Sequence, residues 1–172
     1  MAITKIQSES LNLADTYAFT GTVTGAGETL KPSFYAYLSS NQSVPTATLT
    51  KANLDTELWD TDSAFDTSNY RFTVPSGQAG KYFFHYRIKT SGIDDGERIQ
   101  AVMYKNGTPI WSSEGRNYSS VANEQIEAAQ SYIFDLSVGD YIELYGYHNE
   151  GANEAFFSGT SDGSWMAGYK LF

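Results

Sequence analysis

The sequence predicts an all-β domain, a jelly-roll β-sandwich of about ten short strands. Three observations predict this class. Residues 80–89 alternate strictly, so that Tyr82, Phe84, Tyr86 and Ile88 share one face of an extended chain. Turn-forming residues recur at roughly 8–15-residue intervals. Tyr and Phe, which favour strands, number 13 and 10 among 172 residues. A chain of this length supports one well-packed domain.

Several other stretches have strand character, and glycine, proline and asparagine separate them. An Asn106-Gly107 pair predicts a tight hairpin, because a two-residue turn requires positive φ angles. We predict no helix, although residues 120–130 contain helix-favouring Glu, Ala and Gln. The predicted strands lie within residues 33–39, 46–54, 69–74, 80–89, 97–104, 109–111, 121–136 (one or two strands), 141–148 and 165–172. Residues 40–45, 112–120 and 149–163 are predicted as turns or polar loops.

Composition excludes several classes of function. Eleven Lys and Arg against 20 Asp and Glu leave a net charge of −9, which argues against a nucleic-acid-binding surface. No segment reaches the ~20 apolar residues of a membrane span, and residues 1–10 lack the apolar stretch of a secretory signal. There is no cysteine, no Gly-x-Ser-x-Gly elbow and no metal-spaced His pair. His85 and His148 are expected at the surface or in an interface, so the sequence predicts no enzyme.

An acidic cluster spans Asp55, Glu57, Asp60, Asp62 and Asp66. Carboxylate oxygens are the ligands that calcium prefers, but the spacing does not match a calcium-binding loop. Solvated turns explain the same residues. The sequence therefore predicts no metal and no cofactor, with calcium as the open alternative.

Residues 1–31 differ from the rest of the chain, since apolar side chains are sparse in a Ser, Thr, Asn and Gln background. Such a segment cannot bury a core of its own. It is predicted to be an extended arm that precedes the domain at 32–172. A frayed terminus and a segment that docks on other proteins both remain open. The anchoring residues of a docking arm would be Ile3, Ile6, Leu11, Leu13, Tyr17 and Phe19.

The alternating strand is the last part of a longer pattern. This pattern consists of Asp60, Phe65 and Phe72, followed by the run Gly80-x-Tyr82-x-Phe84-x-Tyr86 in the strand itself. This pattern resembles the signature of the globular head of complement component 1q, a relative of the tumour-necrosis-factor fold. Three later pieces, at 102–107, 136–144 and 168–172, are similar to the family's hairpin, strand entry and C-terminal close. The resemblance covers residues 33–172. Leu54 stands where the signature begins with Phe, and two additional residues lie between Phe72 and Gly80.

The resemblance implies a homotrimer. The sequence offers a reason, because large side chains lie opposite the predicted core residues and would leave an unusually apolar monomer surface. The alternative is that some of these tyrosines lie flat on the surface with their hydroxyl groups in water. The predicted interface residues are Tyr35, Tyr37, Phe83, His85, Tyr141, Tyr145, Tyr147 and Tyr169.

The opening segment at 3–15 and the stretch 36–43 look like parts of structural proteins of marine bacteriophages. This resemblance implies a non-enzymatic virion protein, assembled in the host cytoplasm, that forms a trimeric fibre, knob or decoration of a head or tail. Residues 1–31 would bind other virion proteins. The open alternatives are a stand-alone binding protein or lectin of the same fold and, less favoured, a polysaccharide-cleaving tail enzyme.

Loops at the end of such a domain are the expected place for recognition of a host glycan or protein. Aromatic rings beside Asn suit sugar binding, and packing beneath a long loop is the alternative explanation of the same rings. No membrane insertion is expected. The candidate ligand-binding residues are Asn117, Tyr118, Asn153, Phe156, Phe157 and Trp165.

Overall fold

The computed structural model describes residues 32–116 and 124–172, and its regular structure is entirely β. Within those residues no helix is long and apolar enough to span a membrane. The strands are β1 (Ser33–Tyr37), β2 (Gln42–Val44), β3 (Thr50–Lys51), β4 (Thr56–Asp60), β5 (Phe65–Asp66), β6 (Arg71–Thr73), β7 (Gly80–Ile93), β8 (Arg98–Lys105), β9 (Thr108–Arg116), β10 (Glu124–Leu136), β11 (Tyr141–His148), β12 (Glu154–Phe156) and β13 (Trp165–Lys170).

The all-β prediction is confirmed, with 13 strands in the described residues rather than about ten. The difference lies mainly in short polar strands. β2 falls in a predicted turn, β12 in a predicted loop and β4 in the acidic cluster. Such segments carry little strand propensity of their own, and pairing with longer neighbours places them in a sheet.

Sheet A is built around β7, the 14-residue strand that contains the alternating stretch. β10 pairs with one side of β7 from Gly80 to Ile93. The other side pairs first with β13 and then, at Thr90, with β12. β1 joins β13, and β4 forms the far edge beside β1. All of these pairs are antiparallel.

Sheet B has the order β5-β6-β11-β8-β9, with the short β3 also paired to β11. The Asn106-Gly107 hairpin joins β8 to β9, and its φ angles of 52° and 75° confirm the predicted turn. Asp140 supports this hairpin. It accepts hydrogen bonds from Asn106 Nδ2 at 2.7 Å and Ser137 N at 2.9 Å, and it pairs with Lys105 Nζ at 2.8 Å. These contacts, that of Lys105 above all, lower the pKa of Asp140 to about 2.

The core lies between the inner faces of the two sheets. Tyr82, Phe84, Tyr86 and Ile88 are all fully buried, as the alternation predicted. The Phe34 ring stacks on two rings from sheet B, Phe65 at 5.1 Å and Phe72 at 5.0 Å between centroids. The aromatic residues of the signature are therefore core residues that hold the sheets together.

Two core tyrosines differ in how their hydroxyl groups are satisfied. Tyr82 donates to the Gln78 carbonyl oxygen at 2.6 Å, whereas the buried Tyr86 hydroxyl has no hydrogen-bond partner among the described residues. Burial raises the pKa of both phenols, that of Tyr82 to about 12. Neither group ionises at physiological pH, so both act as core packing.

Candidate subunit interface

The outward side of sheet A carries a continuous set of large side chains that the core does not use. It spans five neighbouring strands in the order β4, β1, β13, β7 and β10. Directly opposed residues in antiparallel strands share a face, so the register places these groups together. This surface, the outer aromatic face, consists of Tyr35, Tyr37, Trp59, Phe83, His85, Ile133, Trp165 and Tyr169.

The rings of this face touch one another in two groups. Tyr35 lies 5.2 Å from both Trp59 and Trp165, and Trp165 lies 4.9 Å from His85. This first group crosses four strands. Phe83 and Tyr169 form the second group, with centroids 5.4 Å apart. Contacts of this kind keep each ring in a defined orientation, so the face is ordered before any partner binds.

Part of the outer aromatic face remains exposed to solvent. Trp59 is 46% exposed and Ile133, which lies opposite Phe83, is 54% exposed. The remaining residues are half-buried. Exposed apolar surface of this extent on one sheet is typical of a surface that binds another protein.

Polar groups fix the middle of this face. The Arg87 guanidinium donates to Gly163 O at 2.9 Å and Ser161 O at 2.8 Å, and it pairs with Glu127 at 3.1 Å. The Arg87 guanidinium carbon lies 5.7 Å from the Trp165 ring. These bonds occupy the cation within its own subunit, so the face presents rings rather than an unpaired charge.

His85 and Tyr35 are two ionisable residues of the outer aromatic face. His85 Nδ1 is 2.7 Å from Ser131 Oγ. Tyr35 donates a hydrogen bond to the Thr160 carbonyl oxygen. Burial raises the pKa of Tyr35, and the nearby Arg87 opposes that shift. Both side chains are therefore held in place by a neighbouring strand or loop.

The eight predicted interface residues do not form one patch. Five of them lie on the outer aromatic face, whereas Tyr141, Tyr145 and Tyr147 lie on the outward side of sheet B, across the sandwich. The reason is that β11 pairs with β3, β6 and β8 and not with β1, β7 or β13. Alternation shows that a side chain faces outward but not which sheet its strand joins.

The three tyrosines on sheet B are half-buried, and each ring has a partner within the subunit. Tyr145 stacks on Tyr104 at 4.0 Å. The guanidinium carbon of Arg71 lies 4.7 Å from the Tyr141 ring, and that of Arg98 lies 5.6 Å from the Tyr147 ring. Such cation–π contacts satisfy the rings locally. This side of the molecule is a mosaic of charges and rings.

The predicted ligand-binding residues also lie in different parts of the structure. Phe156 is wrong as a ligand contact, because it is fully buried in β12 and packs against Gly146, where a Cβ would overlap its ring. Trp165 lies on β13 and belongs to the outer aromatic face rather than to a loop. Phe157 is half-buried near Lys89 Nζ, 6.0 Å from its ring centroid, and Asn153 is exposed.

Other predicted residues fall outside the described part of the chain. These are Asn117 and Tyr118 of the ligand loop and the six anchoring residues of the arm. Residues 112–116, predicted as loop, belong to β9. His148, expected at the surface or in an interface, is instead fully buried in the core of the domain, and its Nε2 donates to the Val44 carbonyl oxygen at 3.0 Å.

The acidic cluster is divided among β4, β5 and the segments beside them. Asp60 accepts from Phe65 N at 2.7 Å, and Asp66 accepts from Asn69 N at 3.0 Å. Asp55 accepts from Ser39 N at 2.8 Å. Within residues 32–116 and 124–172, no group of three or more His, Asp or Glu side chains is placed to hold a metal ion. These three carboxylates serve as acceptors for backbone N–H groups.

The predicted interface leaves out three members of the outer aromatic face. Trp165 is predicted as a ligand contact, and no prediction names Trp59 or Ile133. Trp59 lies within the acidic cluster, where its neighbours indicated a polar loop. Ile133 lies on β10, which has large side chains on both faces. Only the strand register places these two residues on the face, and the register depends on pairing between distant segments.

No family model matches the chain, and no curated protein matches it. Several solved structures do match the chain. The globular domain of zebrafish complement 1qA is 16% identical, with a TM-score of 0.59, over 83% of this chain and 98% of that one. Murine APRIL is 14% identical, with a TM-score of 0.60, over 81% and 98%. Eiger TNF from S. frugiperda is 14% identical, with a TM-score of 0.59, over 82% and 91%. The chain therefore has the two-sheet jelly-roll fold of the complement 1q globular domain and of these tumour-necrosis-factor-type proteins.

Proposed function

We propose that this protein is a non-enzymatic structural or binding protein that works as a homotrimer, with the outer aromatic face buried between subunits. The observation that carries the proposal is the run of touching rings from Trp59 through Tyr35 and Trp165 to His85. Large rings that are ordered but half-exposed are the groups that contribute most to protein interfaces. The fold supports the same assembly, since the family that the sequence resembles forms homotrimers.

A ring of three subunits needs two different surfaces on each subunit, because a three-fold interface is heterologous. The outer aromatic face supplies one of them. The mosaic of Tyr141, Tyr145 and Tyr147 on sheet B remains a proposal for a second contact. Its own rings are already paired within the subunit, so we expect it to contribute less.

Light scattering of the full chain tests the trimer. The expected mass is three times the 19.0 kDa of one chain. A monomer at micromolar concentration would contradict the proposal, because the outer aromatic face would then have no partner.

We further propose that the trimer is a structural component of a bacteriophage particle, a fibre, knob or decoration, and that the arm at 1–31 attaches it. The support is the resemblance of residues 3–15 and 36–43 to marine phage structural proteins, together with the contrast between a polar arm with few apolar residues and a well-packed domain. An arm of this kind gains its binding energy from its few apolar side chains.

The test of attachment uses the full-length chain with Leu11 and Leu13 changed to Ser. We expect the variant to stay trimeric and to be absent from purified bacteriophage particles. A matched variant, Thr22→Ser and Thr24→Ser in the same arm, should be incorporated normally. If the leucine variant is also incorporated normally, the arm is not the anchor. If neither it nor the unmodified protein is found in particles, the virion role is wrong.

A further inference from the structure

A polar groove of about 190 Å³ is lined by residues that do not belong to the outer aromatic face. The turn after β1 and the segment before β4 form its walls, and buried Leu38 is part of its lining. Tyr70, from the turn between β5 and β6, closes the third side. The volume is below the ~300–1,000 Å³ of pockets for drug-sized molecules, so the groove suits a ligand of monosaccharide size.

Tyr70 is held in an unfavourable backbone conformation. Its φ is 52°, in the left-handed region where a bulky side chain is a genuine outlier. The last residue of a short hairpin turn often takes this conformation, and glycine adopts it without a steric penalty. The backbone of Tyr70 is therefore strained, while its ring is half-buried with Lys51 Nζ 6.0 Å from the centroid. Strain retained at the edge of a groove points to a use for the side chain.

Two amide side chains in the groove keep unused N–H donors. Asn41 Oδ1 accepts from both Ser158 N at 2.9 Å and Ser158 Oγ at 3.0 Å. Because a backbone N–H must meet an oxygen, the Asn41 NH₂ is the free end, and no described group accepts from it. Gln42 is held by Asn53 N at 2.8 Å and Lys51 O at 2.7 Å, which leaves one N–H.

Asp55 places acceptors beside these donors. Its carboxylate accepts from Ser39 N at 2.8 Å and from Ser39 Oγ at 2.7 Å. Desolvation opposes ionisation, but the hydrogen bonds outweigh it and the pKa of Asp55 is lowered. The carboxylate is exposed and keeps unused lone pairs. An ionised group in this position also repels an anionic ligand.

We propose that this groove is a binding site for a neutral pyranose sugar. A hydroxyl group both donates and accepts, so neighbouring sugar hydroxyls match the amide donors of Asn41 and Gln42 and the carboxylate of Asp55. The Tyr70 ring provides an apolar surface for the C–H face of the sugar. None of the lining residues is among those predicted for ligand binding, and the site does not depend on the proposed trimer.

The test is saturation-transfer NMR of the full chain with the methyl glycosides of glucose, galactose and mannose at millimolar concentration, and with glucuronate as the anionic comparison. We expect at least one neutral glycoside, and not glucuronate, to receive saturation. Tyr70→Gly removes the ring and relieves the backbone, so it should weaken binding about tenfold or more without lowering the melting temperature.

Asn41→Asp is the second variant. It keeps an acceptor for Ser158 and removes both amide donors, so it should also weaken binding about tenfold or more. Asn153→Ala, in the exposed loop predicted from the sequence, is the matched control and should bind normally. The proposal is overturned if no neutral glycoside binds, if Tyr70→Gly and Asn41→Asp bind as well as the unmodified chain, or if only Asn153→Ala loses binding.

The same samples separate this proposal from the trimer. Light scattering reports the assembly independently of the NMR signal. A trimer that binds none of the glycosides refutes the sugar site alone, and a monomer that binds one of them refutes the interface alone.

Discussion

Replacing Ile133 by Asp is the most direct perturbation of the outer aromatic face. Ile133 is 54% exposed in the single subunit, so the change should leave the monomer fold intact. Burying a whole Ile side chain is worth about 1.5–3 kcal/mol, and about half of that remains to be gained on assembly, ~1 kcal/mol per subunit. Over three subunits the loss is ~3 kcal/mol, a factor of about a hundred in the trimerisation constant. Desolvation of the new carboxylate adds to it.

Sedimentation velocity over a dilution series measures this effect. Because three chains associate, the dissociation midpoint varies as the inverse square root of the trimerisation constant, so the variant should dissociate at a concentration about ten times higher than the unmodified chain, while its circular dichroism stays unchanged. Val138→Asp is the matched control, because Val138 is 51% exposed but lies in the turn between β10 and β11. Equal dissociation of the two variants, or no effect of Ile133→Asp, would refute a subunit interface on the outward side of sheet A.

Three further predictions concern the stability of the domain. Gly146→Ala should lower the free energy of unfolding by about 1–3 kcal/mol in urea titrations, because its Cβ would overlap the buried Phe156 ring; an unchanged midpoint would contradict this packing. Because the folded pKa of Asp140 is about 2, its stabilising contribution is present above the unfolded pKa of ~4 and is lost as pH falls towards 2. Asp140→Asn should therefore weaken the pH dependence of the melting temperature between about pH 4 and 2. Tyr86→Phe should be neutral or stabilising by about 1 kcal/mol, whereas Tyr82→Phe should be destabilising by a similar amount, since only the Tyr82 hydroxyl has a described acceptor; the opposite order in thermal melts would show that the Tyr86 hydroxyl is satisfied.

The core could be predicted because strand alternation is a local property. The face of Tyr82, Phe84 and Tyr86 follows from the two-residue period, and all three side chains are fully buried. The hairpin at Asn106 follows from the backbone preference of Asn-Gly. These features need no information about which distant strand pairs with which.

The candidate sites could be predicted only in part. Tyr35 and Tyr145 look alike in the sequence, as outward tyrosines on alternating strands, yet they lie on opposite sides of the sandwich. Phe156 and Phe157 are neighbours, and only Phe156 is fully buried, because β12 pairs with both β2 and β7 and turns that ring into the core. Burial of an isolated aromatic in a polar stretch depends on such pairing and not on its neighbours in sequence.

The sequence by itself determined the all-β class, the inward face of the central strand and the family that the fold resembles, because alternation, turn residues and spaced aromatics act over short distances along the chain. Only the tertiary structure decided which strands share a sheet. That choice brought Trp59, 24 residues from its neighbour Tyr35 in the chain, into ring contact with it. It also placed Tyr70 across a groove from Asn41. The physical reason is that long-range strand pairing sets the register, and the register determines which side chains meet.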